Sequence, residues 1–321
     1  MIQAGLTGTG PTWNRYQSVL SHLRRPLHVV AVFDNTPAKA ENGSVASVTG
    51  LQALARRADV QAILLMDSGW TGIAGLDLLT TGDKSVLVAN WIDADRARFE
   101  RIHQRAAEAG ATVMPAMWRR YMPASIRLQE LIATDLGPPQ LIELTVTAPP
   151  SRSNGRQKLE PLIGWIDYCR NLFRSFPESV SLDSDASGPS GTSLQIHYPA
   201  RSGVTTPDSQ RRAIIRIDEN ADGGASDGLP QESLPAIPRI SVTCDGGSAE
   251  IINRVELEWR ANDEPVQTES LSAERSEEEI MLDLFCRRVV GGLIPVADFN
   301  DAVQAMRIVE QTGLLTNGGI G

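Results

Sequence analysis

The sequence predicts an α/β protein of two domains: an N-terminal Rossmann parallel sheet, then a C-terminal α+β domain with a mostly antiparallel open sheet. Three observations predict it. Over residues 1–120, short apolar runs alternate with amphipathic helical stretches. The first of these runs ends in Gly8-Thr9-Gly10 and opens directly into a helix. Beyond the break at Gly137-Pro138-Pro139, strands of period two follow one another, separated by polar loops. A chain of 321 residues also exceeds what one hydrophobic core usually supports, which agrees with domains at 1–120 and 121–321.

Ile2–Leu6 is the first strand, and the helix after the glycine loop carries Tyr16, Val19, Leu20 and Leu23 at helical spacing. His28–Phe33, Gln61–Met66 and Ser85–Val88 are near-continuous apolar runs, as a parallel sheet covered on both faces requires. Val113–Ala116 closes this unit. Gly50–Arg57, Ile73–Leu79 and Asp93–Ala109 are the helical stretches between strands. Pro123–Thr134 is a further helix with Ile126, Leu128, Leu131 and Ile132 on its apolar face. Leu141–Thr147, Ser190–Tyr198, Ala213–Asp218, Arg239–Asp245, Ala249–Asn253 and Val255–Trp259 read as strands. Glu256 and Glu258 oppose Val255, Leu257 and Trp259, so this sheet has one wet face. A helix near Leu162–Phe173 interrupts the strands; helices over Ser276–Val290 and Val296–Thr312 follow them. Ser184–Thr192, Arg201–Ser209 and Asn220–Pro238 are rich in Gly, Ser, Asp and Pro and read as surface loops, the last long enough to be mobile.

Composition narrows the partners. The net charge is −9, with no basic run longer than an arginine pair, so a nucleic-acid partner is not expected. No apolar run approaches the roughly 20 residues of a membrane helix. Cys169, Cys244 and Cys286 are scattered and odd in number, which fits neither a disulfide framework nor a metal knuckle. No secretion signal is legible at Met1, so a reducing, cytoplasmic location is the expectation.

The glycine loop carries the chemistry. Gly8 permits a tight turn, and Gly10 lets the backbone approach a pyrophosphate. Pro11 and Thr12 open the helix whose free N–H groups would receive it. Trp13 stands where a third small residue would be, and must either push the helix off the strand or rotate out over the cofactor. Asp34 follows the second strand. An acid there accepts the ribose hydroxyls of NAD and repels the 2′-phosphate of NADP, so NAD is preferred. Asn35, Asp67 and Asn90 fall after the second, third and fourth strands and complete the expected cofactor set. Asp34-Asn35-Thr36-Pro37 also reads as a plain polar turn capping a helix.

With these residues in order, the chain resembles the Gfo/Idh/MocA oxidoreductases, the glucose–fructose oxidoreductase and inositol dehydrogenase family. The likeness runs through Gly8-Thr9-Gly10, Val30–Asp34, Leu51–Leu54, Val60–Met66, Gly82–Val88, Arg119-Arg120-Tyr121-Met122-Pro123 and Gly292–Val309. It implies a nicotinamide cofactor, a sugar or polyol-like substrate, no metal, and homo-oligomers formed through the C-terminal sheet. Two motifs depart from the family. Ala89-Asn90-Trp91 stands where the family has Glu-Lys-Pro, so Asn90 occupies the catalytic lysine's place. Gly164-Trp165-Ile166-Asp167 stands where the family has His-x-x-Asp, so Asp167 is kept and Gly164 replaces the histidine.

Oxidising a secondary alcohol needs a group to take the hydroxyl proton as hydride leaves. Asn90 does not titrate in this range, and Gly164 has no side chain. Lys39, Lys84 and Lys158 are the only lysines. Lys84 precedes its strand, on the wrong edge; Lys158 falls in a second-domain loop from which it could approach the cleft. His22, His28, His103 and His197 fall in predicted helices or strands remote from it. Asp167 reads either as an acid paired with Arg120 or Arg170, or as a general base acting with Tyr168 or Tyr121. Trp118-Arg119-Arg120-Tyr121 reads as junction packing with a salt bridge, or as a substrate clamp. Trp70, Trp91, Trp118 and Trp165 align with cleft-lining stretches. Three functions stay open: an oxidoreductase with an altered acid–base set, a non-catalytic dinucleotide- or ligand-binding paralogue, and a structural paralogue with a filled cleft.

Overall fold

The computed structural model describes residues 1–34, 45–67, 72–80, 84–90, 92, 95–147, 160–183, 191–200, 211–218 and 237–312. Contacts divide the chain into two units: Met1–Trp118 with Ser276–Gln304, and Arg119–Arg275 with Ala305–Gly321. A single cut at 120 would leave Ser276–Gln304 with the second domain, whereas its contacts are with the first unit. An apolar helical stripe reports that a helix is covered, not which sheet covers it.

The first unit is built on a parallel sheet. Its strands are β1 (Ile2–Thr7), β2 (Leu27–Phe33), β3 (Ala46–Ser47), β4 (Ala62–Leu65), β5 (Ser85–Val88) and β6 (Val113–Pro115). They lie in the order β3-β2-β1-β4-β5-β6, every neighbouring pair parallel. The chain steps outward from β1 to β3, then restarts on the other side of β1. That reversal sets the switch point at which open α/β sheets hold ligands. Every residue of β4 and β5 is buried, because helices cover both faces. Those before the second unit are α1 (Pro11–Ser18), α2 (Leu51–Ala55), α3 (Gly72–Leu79) and α4 (Arg96–Glu108). Helix α1 is shorter than the spacing of Val19 and Leu20 predicts; it ends at Ser18 and a 3-10 turn follows over Leu20–His22.

In the second unit, α5 (Pro123–Thr134) and α6 (Glu160–Phe173) accompany a sheet of eight strands. These are β7 (Pro139–Thr147), β8 (Ser179–Asp183), β9 (Gly191–Tyr198), β10 (Arg211–Asp218), β11 (Ile240–Cys244), β12 (Gly247–Ile251), β13 (Glu256–Ala261) and β14 (Gln267–Ser270). Their order is β14-β13-β12-β11-β7-β10-β9-β8. Neighbours are antiparallel except β7 and β10, which run parallel. Ile240, Val242 and Cys244 of β11 are buried and Ser241 and Thr243 exposed, the alternation their sequence predicts. Three strands carry no sequence signal: β3 has two residues, while the edge strands β8 and β14 are polar and mostly exposed. The loops expected at Ser184–Thr192, Arg201–Ser209 and Asn220–Pro238 fall wholly or largely outside the described residues.

Two last helices are α7 (Glu277–Val289) and α8 (Phe299–Gln311). The Glu279 N–H donates to the hydroxyl of Ser276 at 3.3 Å, which caps α7. Acids fill its first turn and Arg287 and Arg288 its last, matching the helix dipole at both ends. Helix α7 packs on α1, with Arg15 and Glu278 at 3.6 Å, while Phe299 at the start of α8 meets Phe99 of α4 with ring centroids 5.0 Å apart. Among the described residues no helix is long and apolar enough to cross a membrane, and no group of three His, Cys, Asp or Glu residues could hold a metal.

A clip joins α5 to the β13–β14 hairpin. Arg127 donates to Glu269 from Nε at 2.7 Å and Nη2 at 3.0 Å, and the Trp259 indole N–H donates to the same carboxylate at 2.7 Å. The Arg127 bonds hold the Glu269 carboxyl below its ordinary range, with the Trp259 bond acting in the same direction. A carboxyl lowered in the folded state contributes stability above its unfolded pKa and loses it as pH falls through the folded value. Acidification from about pH 6 to about pH 3 is therefore expected to destabilise the native protein more than Glu269→Gln. Urea midpoints across that range check it; parallel curves would remove the linkage.

Candidate functional site

The turn after β1 is forced by a close approach. Gly8 has φ +82°, and a Cβ there would lie 2.4 Å from Asp67 Cβ and 2.9 Å from Asp67 N. The Met66 N–H donates to Thr7 O at 2.9 Å, which keeps the ends of β1 and β4 together. Only glycine fits that backbone and that space. Gly10 has a different reason. A Cβ there would meet nothing within 4 Å, so the backbone faces open space. Gly10 is also the residue before α1, with Pro11 at the first helical position and no side chain capping the helix. The first-turn N–H groups lack intrahelical acceptors and suit an anion. Trp13 is 8% exposed and shares the buried side of α1 with Tyr16. Of its two expected courses, rotating out over a cofactor is therefore not the one taken.

Two side chains hold this loop from the neighbouring strand ends. The backbone N–H of Thr9 donates to Asp34 Oδ2 at 3.0 Å, and the Thr9 hydroxyl donates to the same oxygen. Asp34 thus sits half-buried against the loop, beside the open helix N-terminus. Asn90, after β5, donates from Nδ2 to Met66 O at 2.7 Å and to Thr12 Oγ1 at 3.4 Å. Asn90 thus ties the end of β4 to the first turn of α1. Gly8, Thr9, Gly10, Pro11, Thr12, Trp13, Asp34, Asp67 and Asn90 are all brought to one edge of the sheet. Asn35, Trp70, Trp91, Lys39 and Lys158 lie outside the described residues, and Lys84 precedes β5 on the opposite edge. The carbonyl of Met66 is the partner that sequence reasoning missed; a backbone acceptor carries no residue signature.

In the second unit, Asp167 is 1% exposed on α6. It accepts from Arg120 Nε at 2.7 Å and from a second Arg120 nitrogen, and Arg170 Nη2 lies 3.6 Å away. The paired-acid reading describes this geometry. Tyr168 is fully buried, with Ser125 Oγ donating to its hydroxyl at 3.3 Å; burial pushes its pKa above the ordinary range. One turn before Asp167, a Cβ on Gly164 would lie 2.1 Å from Arg119 Nη1 and 2.6 Å from its Cζ. The guanidinium of Arg119 also lies over the Trp165 ring, 4.7 Å from its centroid. An arginine from the preceding turn thus fills the space a residue-164 side chain would take. The one sequence signal was a glycine inside a helix, where it costs about 1 kcal/mol against alanine and so marks a close approach.

Comparison with solved structures places this fold. An aldose–aldose oxidoreductase from Caulobacter crescentus, complexed with glycerol, matches with a TM-score of 0.73 at 14% identity, covering 99% of this chain and 97% of that one. A UDP-N-acetylglucosamine 3-dehydrogenase from Acidithiobacillus ferrooxidans matches with a TM-score of 0.71 at 14% identity, covering 98% and 97%. No family model and no curated protein matches the sequence. The chain has the two-unit α/β fold of the Gfo/Idh/MocA-type oxidoreductases, as its motifs imply, and these identities establish the fold alone.

Two substitutions test the local accounts. Gly8→Ala is expected to cost at least about 1–2 kcal/mol, since a left-handed backbone and a short Cβ contact act together; an unchanged urea midpoint would refute the close approach. Asp167→Asn removes one partner of a buried pair and leaves Arg120 charged, with an expected cost of about 3–5 kcal/mol. The same unfolding measurement reads it, and a change under about 0.5 kcal/mol would mean that the pair is not structural.

Proposed function

We propose that this chain is an NAD(P)-dependent oxidoreductase of the Gfo/Idh/MocA type acting on a sugar or polyol-like hydroxyl. The observation that carries the reading is the open N-terminus of α1 beside Gly10, with Asp34 held against the same loop. These residues fit a dinucleotide. The first turn of α1 would receive the pyrophosphate and Asp34 the adenosine ribose, so NAD is favoured over NADP. Bound there, the nicotinamide supplies the hydride acceptor. The chain's own contribution is binding and orientation. Asn90 can hold a hydroxyl or amide by hydrogen bonds but cannot take its proton. Turnover would therefore be slow, since loss of general base help alone costs about 10²–10⁴-fold. The glycerol-bound oxidoreductase and the nucleotide-sugar dehydrogenase above support the substrate class.

A second reading is binding without turnover. It is favoured by two observations: Asn90 is tied to Met66 O, and Asp167 is taken by Arg120. As part of the same proposal, self-association uses the outer face of the eight-stranded sheet, where Arg216 pairs with Glu143 at 2.8 Å, and the protein works in the reducing cytoplasm, its three cysteines all buried thiols.

Titration with NADH and NADPH, followed by tryptophan quenching and Tm, tests both readings, because a ligand binding only the native state raises Tm. NADH is expected to bind more tightly than NADPH, and Asp34→Ala to weaken it by about tenfold or more. No response at about millimolar NADH would sink both. Slow NADH formation from NAD with a polyol or sugar panel supports the first, and strict absence of turnover with intact binding supports the second. Light scattering of the eluted protein reads the oligomer.

A further inference from the structure

We propose that a cavity at the N-terminal edge of the parallel sheet binds a small polyanion, a phosphate ester or a polycarboxylate, at a site separate from the glycine loop. The cavity measures about 540 Å³, and three guanidiniums line it: Arg24 and Arg25 from the segment before β2, and Arg287 from the last turn of α7. Ile2, the first residue of β1, lines it too. The glycine loop leaves the other end of that strand, roughly 17 Å away. Every one of these residues belongs to the first unit.

The backbone holds these groups in place. Leu23 and Leu27, 7% and 5% exposed, anchor Arg24-Arg25-Pro26 on both sides, and the Ile2 N–H donates to Pro26 O at 2.9 Å. Phe285 and Cys286, both fully buried, fix the stretch of α7 that carries Arg287. The three arginines themselves are exposed. The chain has a net charge of −9, yet among the described residues none of these guanidiniums makes an ion pair or a hydrogen bond. The helix dipole accounts for a cation at Arg287. It does not account for Arg24 and Arg25, which arrive from a distant part of the chain. The one acid in the lining, Asp283, is 4% exposed, so three positive charges face one buried carboxylate. Like charges gathered in a concavity focus the potential and favour an anion. A guanidinium is a planar fork that holds a phosphate or carboxylate through two parallel bonds. Pro26 and Val290 offer apolar wall to a carbon body, and the volume falls within the roughly 300–1,000 Å³ of small-molecule sites.

The test uses the full chain and calorimetric titration at constant ionic strength with citrate, glycerol 3-phosphate and acetate. Citrate or glycerol 3-phosphate is expected to bind about tenfold or more tightly than acetate, the scale of one charge-assisted bond. The two arms identify whether carboxylate or phosphate is taken. Arg25→Gln and Arg287→Gln should each weaken that probe about tenfold, with the urea midpoint unchanged because both side chains are exposed. Arg56→Gln removes the same charge from another exposed position and should leave binding as it is. Saturating NADH should not displace the probe. No preference over acetate overturns the proposal, as does a preference that survives Arg25→Gln and Arg287→Gln together. Equal weakening by Arg56→Gln overturns it by showing a diffuse charge effect, and displacement by NADH overturns it by placing the anion at the glycine loop. If NADH itself fails to bind, the cofactor reading falls while the arginine variants still decide this site.

Discussion

The close approach of Gly8 to Asp67 is the constraint on which the first unit depends. The end of β1 and the end of β4 share a hydrogen bond, and the chain must leave β1 at a positive φ to enter α1. A side chain at that point would drive the two strand ends apart. Because none is present, the chain enters α1 directly after the turn, with no side chain capping its first N–H groups. Asp34 and Asn90 then fasten the loop from either side, one through Thr9 and the other through Thr12 and Met66. The two side chains expected to face a ligand thus also hold the loop that would bind it.

In the second unit an acid on α6 is held by an arginine from the turn before α5. Asp167 lies in a buried, bidentate pair with Arg120. Such a pair is strongly destabilising to break, yet contributes little net stability compared with apolar packing. Its persistence therefore concerns which conformation is held more than how tightly. It sets the position of the 3-10 turn over Trp118–Tyr121 relative to α6 at Asp167, and with it the guanidinium of Arg119 over Gly164. The Asp167–Arg120 pair and the Gly164–Arg119 approach are, in three dimensions, one packed arrangement.

Legibility varied with burial. The central strands β1, β4 and β5 stood out because both faces are covered, so apolar runs mark them without regard to topology, while β2 is as apolar but only partly buried. The alternation in β11 was as clear, since one face is wet. Edge strands β8 and β14 were silent because neither face needs apolar side chains. Helix α1 was overextended because Val19, Leu20 and Leu23 keep helical spacing across a 3-10 turn, whose periodicity over three residues resembles a helix.

By itself the sequence determined the two sheets, the glycine loop, Asp34 at the end of the second strand, and the non-titrating residues Asn90 and Gly164. Those properties are local: period, turn chemistry and residue identity are all written along the chain. Tertiary structure alone decided that Trp13 turns inward, that Asn90 clasps the carbonyl of Met66, that Ser276–Gln304 belongs with the first unit, and that Arg119 occupies the space over Gly164. Each of these depends on which atoms meet across tens of residues. A glycine signals that something comes close, and only the folded chain says what does.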